Sequence, residues 1–275
     1  MTAAAVLVVL IGMLFLATPI AWSLFVLAVA LVACWEWSRM SGLAEGAQMA
    51  FLFLSGALGA AFWLLYARDA EGLFVGFASR AFIAAAIFWI VVAPAWLARH
   101  MRPVPWVCAV AGWLVVWPTW FAFVVLRDVG PWLLLATAAL VWIADIAAYF
   151  AGRRFGTRRL APAISPGKTW EGVYGAIAAV VAYGLILAAL TAHSSAPVAA
   201  LFSGGMGWAA VAFMVVLAAL SIVGDLFESW MKRGAGLKDS SGLLPGHGGV
   251  LDRIDALTST LPVAALAIAI RAGNA

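Results

Sequence analysis

Charged residues are confined to a few short stretches of this chain, and the segments between them are long, apolar and almost uncharged. The chain has 16 basic and 12 acidic residues, and nine of these 28 lie within positions 225–255. A charged side chain at the centre of a lipid-facing helix costs about 2.5–3.5 kcal/mol on insertion scales. We therefore expect the apolar segments to cross a membrane and the charged cluster to face water, a ligand or its own counter-charges.

Composition supports the same class. With 66% hydrophobic and 10% charged residues, the chain cannot be a soluble domain, in which about 25% of residues are charged. Because a backbone in lipid must satisfy its own hydrogen bonds, such segments favour helices. The pattern predicts an all-α integral membrane protein, a polytopic bundle of about nine transmembrane helices. The predicted spans are residues 4–17, 20–35, 47–67, 81–98, 104–126, 129–151, 172–192, 205–224 and 256–270.

Prolines mark a boundary between two of these spans and lie within a third. Thr18-Pro19 separates the first two spans, both of which are short, and the first is a candidate for an incomplete crossing. Pro105 and Pro118 lie within the span 104–126, where they could divide or kink the helix.

Basic residues in short loops predict the orientation, because such loops collect on the cytoplasmic side. Residues 153–168 carry four arginines and Lys168 with no acid among them, so this loop is predicted to be cytoplasmic. The uncharged stretch 193–205 is then an outer loop, and the region after position 225 returns to the cytoplasmic side. The basic stretch Arg99, His100 and Arg102 falls on the same side.

Asp145 is an isolated acid within the predicted span 129–151. Acids inside a membrane usually face a cavity or a partner, which makes this residue a functional candidate. A buried ion pair with Arg153 or Arg154 is the structural alternative.

The stretch 161–172 reads APAISPGKTWEG and invites comparison with a phosphate-binding Walker loop. The comparison fails, because Pro162 stands where a glycine is needed and no buried strand is expected before it. We predict instead a Ser165-Pro166 turn, followed by Thr169 as a helix N-cap. Lys168 and the first N–H groups of that helix would form a secondary anion contact, although a basic topology loop explains the stretch equally well.

A second motif begins with polar residues at helical spacing. Asp225, Glu228, Ser229 and Lys232 fall at i, i+3, i+4 and i+7, so they line one face of a helix that leaves the membrane. The glycine-rich run 245–249 follows, in which glycines allow positive φ and expose N–H groups to an anion.

Asp252 and Asp255 lie one helical turn apart where the last span begins. If the last two helices pack as antiparallel neighbours, both acids face Asp225. Three converging carboxylates repel each other unless a cation is present, and such hard oxygen ligands suit Mg²⁺. The alternative is an ion-paired loop in which the three acids neutralise Lys232, Arg233 and Arg253.

His247 has no second histidine at ligand spacing. A hydrogen bond to phosphate, or a role in structuring the loop, is therefore favoured over zinc ligation.

The run from Ser229 to Asp255, SWMKRGAGLKDSSGLLPGHGGVLDRID, resembles the signature of the phosphatidate cytidylyltransferases, integral membrane enzymes that make CDP-diacylglycerol. The matching positions are Ser229, Lys232, Arg233, Lys238, Asp239, Pro245, His247, Gly248, Gly249, Asp252, Arg253 and Asp255. The resemblance covers about the second half of the chain. Gly167, the Ile146-Ala147 pair and Ala256 depart from the family pattern, which leaves the role of the upstream loop open.

The resemblance implies transfer of CMP from CTP to phosphatidate, with pyrophosphate as the other product. It implies catalytic roles for Lys232, Arg233, Lys238, Asp239, His247 and Arg253. It implies substrate binding by Ser229, Gly248, Gly249, Ser165, Lys168 and Thr169. Asp225 and Asp252 are the leading metal ligands, with Asp255 next. The implied cofactor is Mg²⁺, with a monovalent cation such as K⁺ as an additional candidate.

The same resemblance divides the chain into N-terminal transmembrane helices, residues 1–128, and a catalytic transmembrane region with cytoplasmic signature loops, residues 129–275. The expected location is the cell (inner or plasma) membrane, with the active site on the cytoplasmic face, where CTP and the lipid headgroup meet. Membrane lipid is an expected partner and nucleic acid is not. A homodimer is left open.

Two other classes of function are alternatives to a phosphatidate cytidylyltransferase. A transporter would also contain intramembrane acids, but its site should lie near the bilayer midplane between repeated halves, and no such repeat is visible. A related enzyme that uses CTP with another lipid phosphate would share the same headgroup chemistry.

Overall fold

Long helices make up almost all of the computed structural model, which describes residues 2–69, 72–99, 103–192, 194, 197–200, 202 and 207–273. The helices of the first half are α1 (Thr2–Leu16), α2 (Pro19–Met40), α3 (Glu45–Ala67), α4 (Leu73–Ile87), a π-helical turn (Phe88–Val92), α5 (Ala93–Arg99) and α6 (Pro105–Val129). The second half contains α7 (Pro131–Phe155), β1 (Arg159–Ala161), β2 (Ser165–Thr169), α8 (Trp170–Thr191), α9 (Pro197–Ala200), α10 (Gly207–Gly234) and α11 (Leu251–Arg271).

Eight helices of the described chain are long and apolar enough to cross a membrane, with the continuous run Leu73–Arg99 counted as one. This confirms the polytopic all-α prediction. The predicted first span, 4–17, is not among the eight. Its helix α1 has 15 residues, which reach about 22 Å at 1.5 Å per residue, short of a hydrocarbon core about 30 Å thick.

Capping and proline chemistry explain several helix boundaries. Thr18 caps α2, since its Oγ1 accepts a hydrogen bond from the N–H of Ala21 at 3.2 Å. Pro105 is the first residue of α6. Proline is well tolerated there because the N–H at this position has no acceptor within the helix. Pro118 lies inside α6 without dividing it. Pro94 lies two residues after the end of the π-helical turn, and a proline that cannot donate to the preceding turn is a recognised cause of such local rewinding.

One helix extends beyond its predicted span, as the helical spacing of the polar residues indicated. The span predicted as 205–224 lies in α10, which continues to Gly234, so the polar residues after position 224 belong to the same helix. The loops predicted at 193–205 and around His100 and Arg102 lie largely outside the described residues.

A short antiparallel hairpin, β1 with β2, replaces the Ser165-Pro166 turn that the sequence predicted. Ser165 and Pro166 lie in β2, and the turn is formed by residues 162–164. A two-stranded hairpin tolerates proline because each strand is an edge, where one side of the backbone needs no ladder partner.

Small residues allow two helix pairs to approach closely, as expected where lipid provides no hydrophobic driving force between helices. In the α7–α8 pair, a Cβ added at Gly172 would lie 2.8 Å from the backbone oxygen of Ala148. In the α10–α11 pair, a Cβ at Gly224 would lie 2.8 Å from the backbone oxygen of Asp255. Each of these close approaches joins the two helices of one pair.

Helix α11 also packs against α2, α4 and α6, so contacts cross the boundary predicted at residues 128 and 129, and the two-region division stays a prediction. An aromatic cluster joins the halves around Phe227 of α10. The rings that surround it belong to Trp37, Phe88, Trp89, Trp96 and Trp230.

Gly112 tests this packing. A Cβ there would overlap the indole of Trp37, which is fixed by a 2.7 Å hydrogen bond from its Nε1 to the backbone oxygen of Cys108. We expect Gly112→Ala to lower the free energy of unfolding by about 1–3 kcal/mol, the usual range for overpacking. Thermal unfolding in one detergent measures this. Gly56→Ala is the matched control, because a Cβ at Gly56 meets nothing within 4 Å, and equal loss in both variants would contradict the packing argument.

Candidate active site

A buried lysine links the ends of α10 and α11. Lys232 Nζ lies 2.6 Å from Glu228 Oε2 on its own helix and 2.5 Å from Asp252 Oδ1 in the first turn of α11. The three side chains are 11%, 4% and 6% exposed, respectively. Charges this far from water persist only when they are paired and hydrogen-bonded. This triad therefore fixes where the two helix ends sit relative to each other.

The second oxygen of Asp252 holds the connecting loop, residues 235–250, which we name the signature loop. Asp252 Oδ2 accepts from the backbone N–H of Ser240 at 2.9 Å, from the Ser240 hydroxyl at 2.9 Å and from the N–H of Gly249 at 2.7 Å. With Lys232 on Oδ1, the carboxylate has four donors. Three of them occupy Oδ2, while Oδ1 has Lys232 and retains a lone pair.

The glycines of the signature loop allow it to approach these acids. Gly248 has φ +75°, and a Cβ there would lie 2.7 Å from Asp252 Oδ2. A Cβ at Gly249 would overlap Ser240 Oγ and Glu36 Oε1. The N–H of Gly249 already donates to Asp252, so the substrate-binding role predicted for Gly248 and Gly249 stays a prediction and, for Gly249, would require this N–H to change partner.

A second ion pair joins the hairpin to α10. Lys168 Nζ lies 2.5 Å from Asp225 Oδ2, and the Ser229 hydroxyl lies 3.3 Å from Asp225 Oδ1. Lys168 and Asp225 are 25% and 29% exposed, so water can reach both. The upstream basic loop and the downstream signature therefore meet at one end of the bundle.

Thr169 places this lysine. Its Oγ1 accepts from the N–H of Gly172 at 3.2 Å, which confirms the predicted N-cap of α8. The side chain of Ser165, at the other end of β2, makes no hydrogen bond within the described chain. Substrate binding by Ser165, Lys168 and Thr169 stays a prediction.

Further acids surround the two lysines. Asp145 lies within electrostatic range of Asp225 and Lys168, Asp255 within range of Asp225, Lys168 and Asp145, and Glu228 within range of Asp255. The acids Asp145, Asp225, Glu228, Asp252 and Asp255 thus form one cluster, in which Lys168 and Lys232 are the only basic residues of the described chain that form salt bridges with these acids. We name these seven residues the acid cluster.

The alternative for Asp145, an ion pair with Arg153 or Arg154, is not what the structure shows. Arg153 donates to the Tyr149 hydroxyl at 3.1 Å. The Arg154 guanidinium lies over the ring of Phe155, 5.4 Å from its centroid. Neither arginine forms a salt bridge with Asp145 in the described part of the chain.

The acid cluster fits a divalent cation by charge and by donor chemistry. It carries more acids than lysines, and Glu228 Oε1 is buried without a hydrogen-bond partner. Carboxylate oxygens are the ligands that Mg²⁺ prefers. In the present arrangement, no three His, Cys, Asp or Glu residues among those described are gathered closely enough to hold a metal. The acid cluster therefore suits a divalent cation by its charge and by the type of its ligand atoms, and not by the present distances between the acids.

The predicted metal ligands differ in their capacity for a cation. Among the described residues, the side chain of Asp255 accepts one hydrogen bond, from the N–H of Ala256. Asp225 accepts a hydrogen bond from the Ser229 hydroxyl and forms an ion pair with Lys168. Both carboxylates therefore retain lone pairs. A metal at Asp252 would have to bind Oδ1 beside Lys232, because three donors of the signature loop occupy Oδ2. All three assignments stay predictions.

The remaining predicted catalytic residues lie outside the acid cluster. Those exposed to solvent are Arg233, Lys238, Asp239 and Arg253. Arg233 donates to the backbone oxygen of Leu237 at 3.4 Å. The ring of His247 contacts the backbone oxygen of Pro245 at 3.2 Å, which agrees with the loop-structuring alternative. Catalytic roles for these five residues stay predictions.

Two acids were missing from the predicted site. Glu228 was placed on the correct helix face by its spacing, but its burial and its unpaired oxygen could not be known from the sequence. Glu36, the first charged residue in the chain, is fully buried and contacts the signature loop. An acid inside an apolar helix was the only signal available for it.

Lys232 provides a test of the buried triad. Lys232→Met leaves Glu228 and Asp252 in a buried site without their cation, and breaking a buried pair in this way usually costs about 3–5 kcal/mol. We expect a corresponding fall in the free energy of unfolding, measured by denaturant titration in detergent. Lys238→Met changes the same residue type at an exposed position and should alter stability by less than about 0.5 kcal/mol. Similar losses in the two variants would refute the triad's role.

The chain matches known proteins along its whole length. Residues 1–271 match the family model described as "Cytidylyltransferase family". The phosphatidate cytidylyltransferase of Pseudomonas aeruginosa is 38% identical over 276 residues, which cover 95% of this chain and 93% of that protein. The phosphatidate cytidylyltransferases of Haemophilus influenzae and Brucella suis are 49% and 50% identical over 48% and 44% of this chain, and over 44% and 41% of their own lengths. These matches confirm the resemblance found in the signature, and the chain belongs to the cytidylyltransferase family.

Proposed function

We propose that this chain is a membrane-embedded nucleotidyltransferase that transfers CMP from CTP to phosphatidate and releases pyrophosphate, yielding CDP-diacylglycerol for phospholipid synthesis. The family match and the relative aligned over 95% of the chain support this activity. The structural observation that carries the proposal is the meeting of Lys168 and Lys232, from separate elements, with carboxylates at one end of the bundle.

The reaction requires charge neutralisation more than acid–base chemistry. A phosphate monoester has its second pKa near 6 and is largely dianionic at neutral pH, so a phosphatidate oxygen can attack the α-phosphorus of CTP without a general base. The new P–O bond forms as the bond to pyrophosphate breaks. Such in-line displacements depend on positioning and on stabilising the charge that moves to the leaving group.

The basic residues around the acid cluster suit these anions. Arg233, Lys238 and Arg253 are exposed and able to reach bound phosphates. Lys168 and Lys232 are held by carboxylates, so a phosphate oxygen can compete for their N–H donors once those carboxylates have another partner. We assign charge stabilisation of CTP and pyrophosphate to these five residues.

Asp225 and Asp255 are the proposed ligands with free lone pairs, and Asp252 is a further ligand through Oδ1, beside Lys232. When bound there, Mg²⁺ would neutralise phosphate charge and align the reacting phosphates. A monovalent cation such as K⁺ remains an additional candidate for the excess negative charge.

The proposed location is the cytoplasmic face of the cell membrane. The basic loop 153–168 leads into Lys168, and short basic loops favour the cytoplasmic side. CTP is soluble while phosphatidate is anchored in lipid, so a site at the helix ends lets both reach it. All the groups named here come from one chain, and the site does not require a homodimer.

Asp225→Asn tests the assignment of the acid cluster. Incorporation of labelled CTP into phosphatidate by the purified protein should fall by more than about 100-fold, the upper range for disturbing even the outer shell of a metal site. Thermal stability should be retained because Asp225 is partly exposed. Glu45→Gln removes an exposed acid at the start of α3 and should leave incorporation unchanged. Wild-type turnover in Asp225→Asn would overturn the assignment.

The same assay separates the competing functions. Transport of a labelled solute into vesicles without incorporation into lipid would favour a transporter. Incorporation that prefers a different lipid phosphate would favour a related CTP-using enzyme.

Metal removal is a second test. A chelator should abolish incorporation, and Mg²⁺ should restore it. Because a ligand that binds only the folded state raises its stability, Mg²⁺ should also raise the thermal midpoint of wild type and have a smaller effect on Asp225→Asn. Full activity in the presence of chelator would exclude a required divalent ion.

A further inference from the structure

Glu36 is a buried carboxylate of α2 that binds a part of the chain more than 200 positions away. Its exposed surface is 0%. Oε1 accepts from the Ser241 hydroxyl at 2.6 Å and from the N–H of Val250 at 2.9 Å. Oε2 accepts from the N–H of Leu251 at 2.7 Å, and it lies 3.2 Å from the Ser240 hydroxyl, whose single hydrogen is donated to the nearer Asp252 Oδ2. Three donors of the signature loop and the start of α11 therefore converge on one side chain.

The charge of Glu36 is balanced by these donors and by the helix end, since no Lys or Arg of the described chain forms a salt bridge with it. The first N–H groups of a helix lack partners within the helix and carry its partial positive charge. Val250, in the N-cap position of α11, has no polar side chain and makes no cap hydrogen bond. Glu36 supplies that cap from a different helix.

Ser240 connects Glu36 to Asp252. The Ser240 hydroxyl lies 3.2 Å from Glu36 Oε2 and 2.9 Å from Asp252 Oδ2, while its backbone N–H donates to Asp252. Arg39, one turn beyond Glu36, donates to the backbone oxygen of Ser240 at 3.3 Å. Ser240 is therefore held from α2 by Arg39 and lies beside Glu36, and it holds Asp252, which holds Lys232.

We propose that Glu36 is a positioning residue for the transfer reaction, acting through the signature loop. It sets the start of α11 and the orientation of Asp252, and through Asp252 it fixes Lys232. It also occupies the N–H groups at the beginning of α11, so that substrate phosphates are directed to the lysines and arginines instead. The effect of Glu36 on CMP transfer rests on the proposed function. Its effect on the signature loop rests on the contacts described above alone.

The test compares Glu36→Gln, Glu36→Asp and the exposed control Glu45→Gln in full-length protein. Glutamine keeps the size of the side chain but turns one acceptor oxygen into an N–H donor that faces other donors. Hydrogen exchange of the amides at 249–251 should accelerate by at least about tenfold, as expected for loss of charge-assisted hydrogen bonds. Exchange in α7 and α8 should not change.

Turnover should respond in a way that a purely structural residue would not produce. With CTP and phosphatidate, Glu36→Gln should lower kcat by about tenfold or more, with KM for phosphatidate unchanged, at a temperature where the variant remains folded. Glu36→Asp retains the charge and should recover part of kcat. Glu45→Gln should match wild type in both measurements.

The outcomes distinguish the two proposals. Wild-type exchange at 249–251 in Glu36→Gln, or faster exchange with unchanged kcat, would overturn the positioning role. If the wild-type protein transfers no CMP, the proposed function is wrong. The hydrogen-exchange rates at 249–251 would still show whether Glu36 stabilises the signature loop. If Glu36→Gln does not fold, Ser241→Ala removes one hydrogen bond to Glu36 and should produce smaller changes in the same directions; no change would contradict the proposal.

Discussion

The buried contact of Lys232 with Glu228 and Asp252 is the interaction on which the rest of the site depends. It closes the gap between α10 and α11 at the end where both helices carry acids. The close approach at Gly224 allows the two helices to meet there. Because one lysine cannot neutralise two carboxylates and the neighbouring Asp255, the same arrangement leaves negative charge that a metal ion can satisfy. Stability of the helix pair and reactivity of the site therefore arise from one set of charges.

The site is assembled from three parts of the chain that are far apart in sequence. The hairpin delivers Lys168 to Asp225, α10 and α11 supply the acids, and α2 reaches the signature loop through Glu36. The N-terminal helices therefore contribute a contact to the site in addition to spanning the membrane. The aromatic cluster around Phe227 ties α2 and the π-helical turn to α10, five residues before Lys232 on the same helix.

The sequence predicted local features well and distant ones poorly. Helical spacing placed Asp225, Glu228, Ser229 and Lys232 on one face, and the Ser229–Asp225 and Lys232–Glu228 contacts confirm that shared face. The Thr169 cap depends only on neighbouring residues and was also correct. Periodicity carries no information on partners in other segments, so Glu36 was missed, and a five-residue strand containing proline and glycine shows no alternation that would reveal the hairpin. The glycines at 248 and 249 were identified as special, but their approach to carboxylates depends on tertiary packing.

Anomalous diffraction from crystals grown with Mn²⁺ in place of Mg²⁺ and with CTP tests the central claim most directly, because it locates the cation relative to named oxygens. The account predicts a peak within bonding distance of Asp225 and Asp255, with Lys232 still between the helix ends. A peak remote from both acids, or none at saturating Mn²⁺, would contradict it.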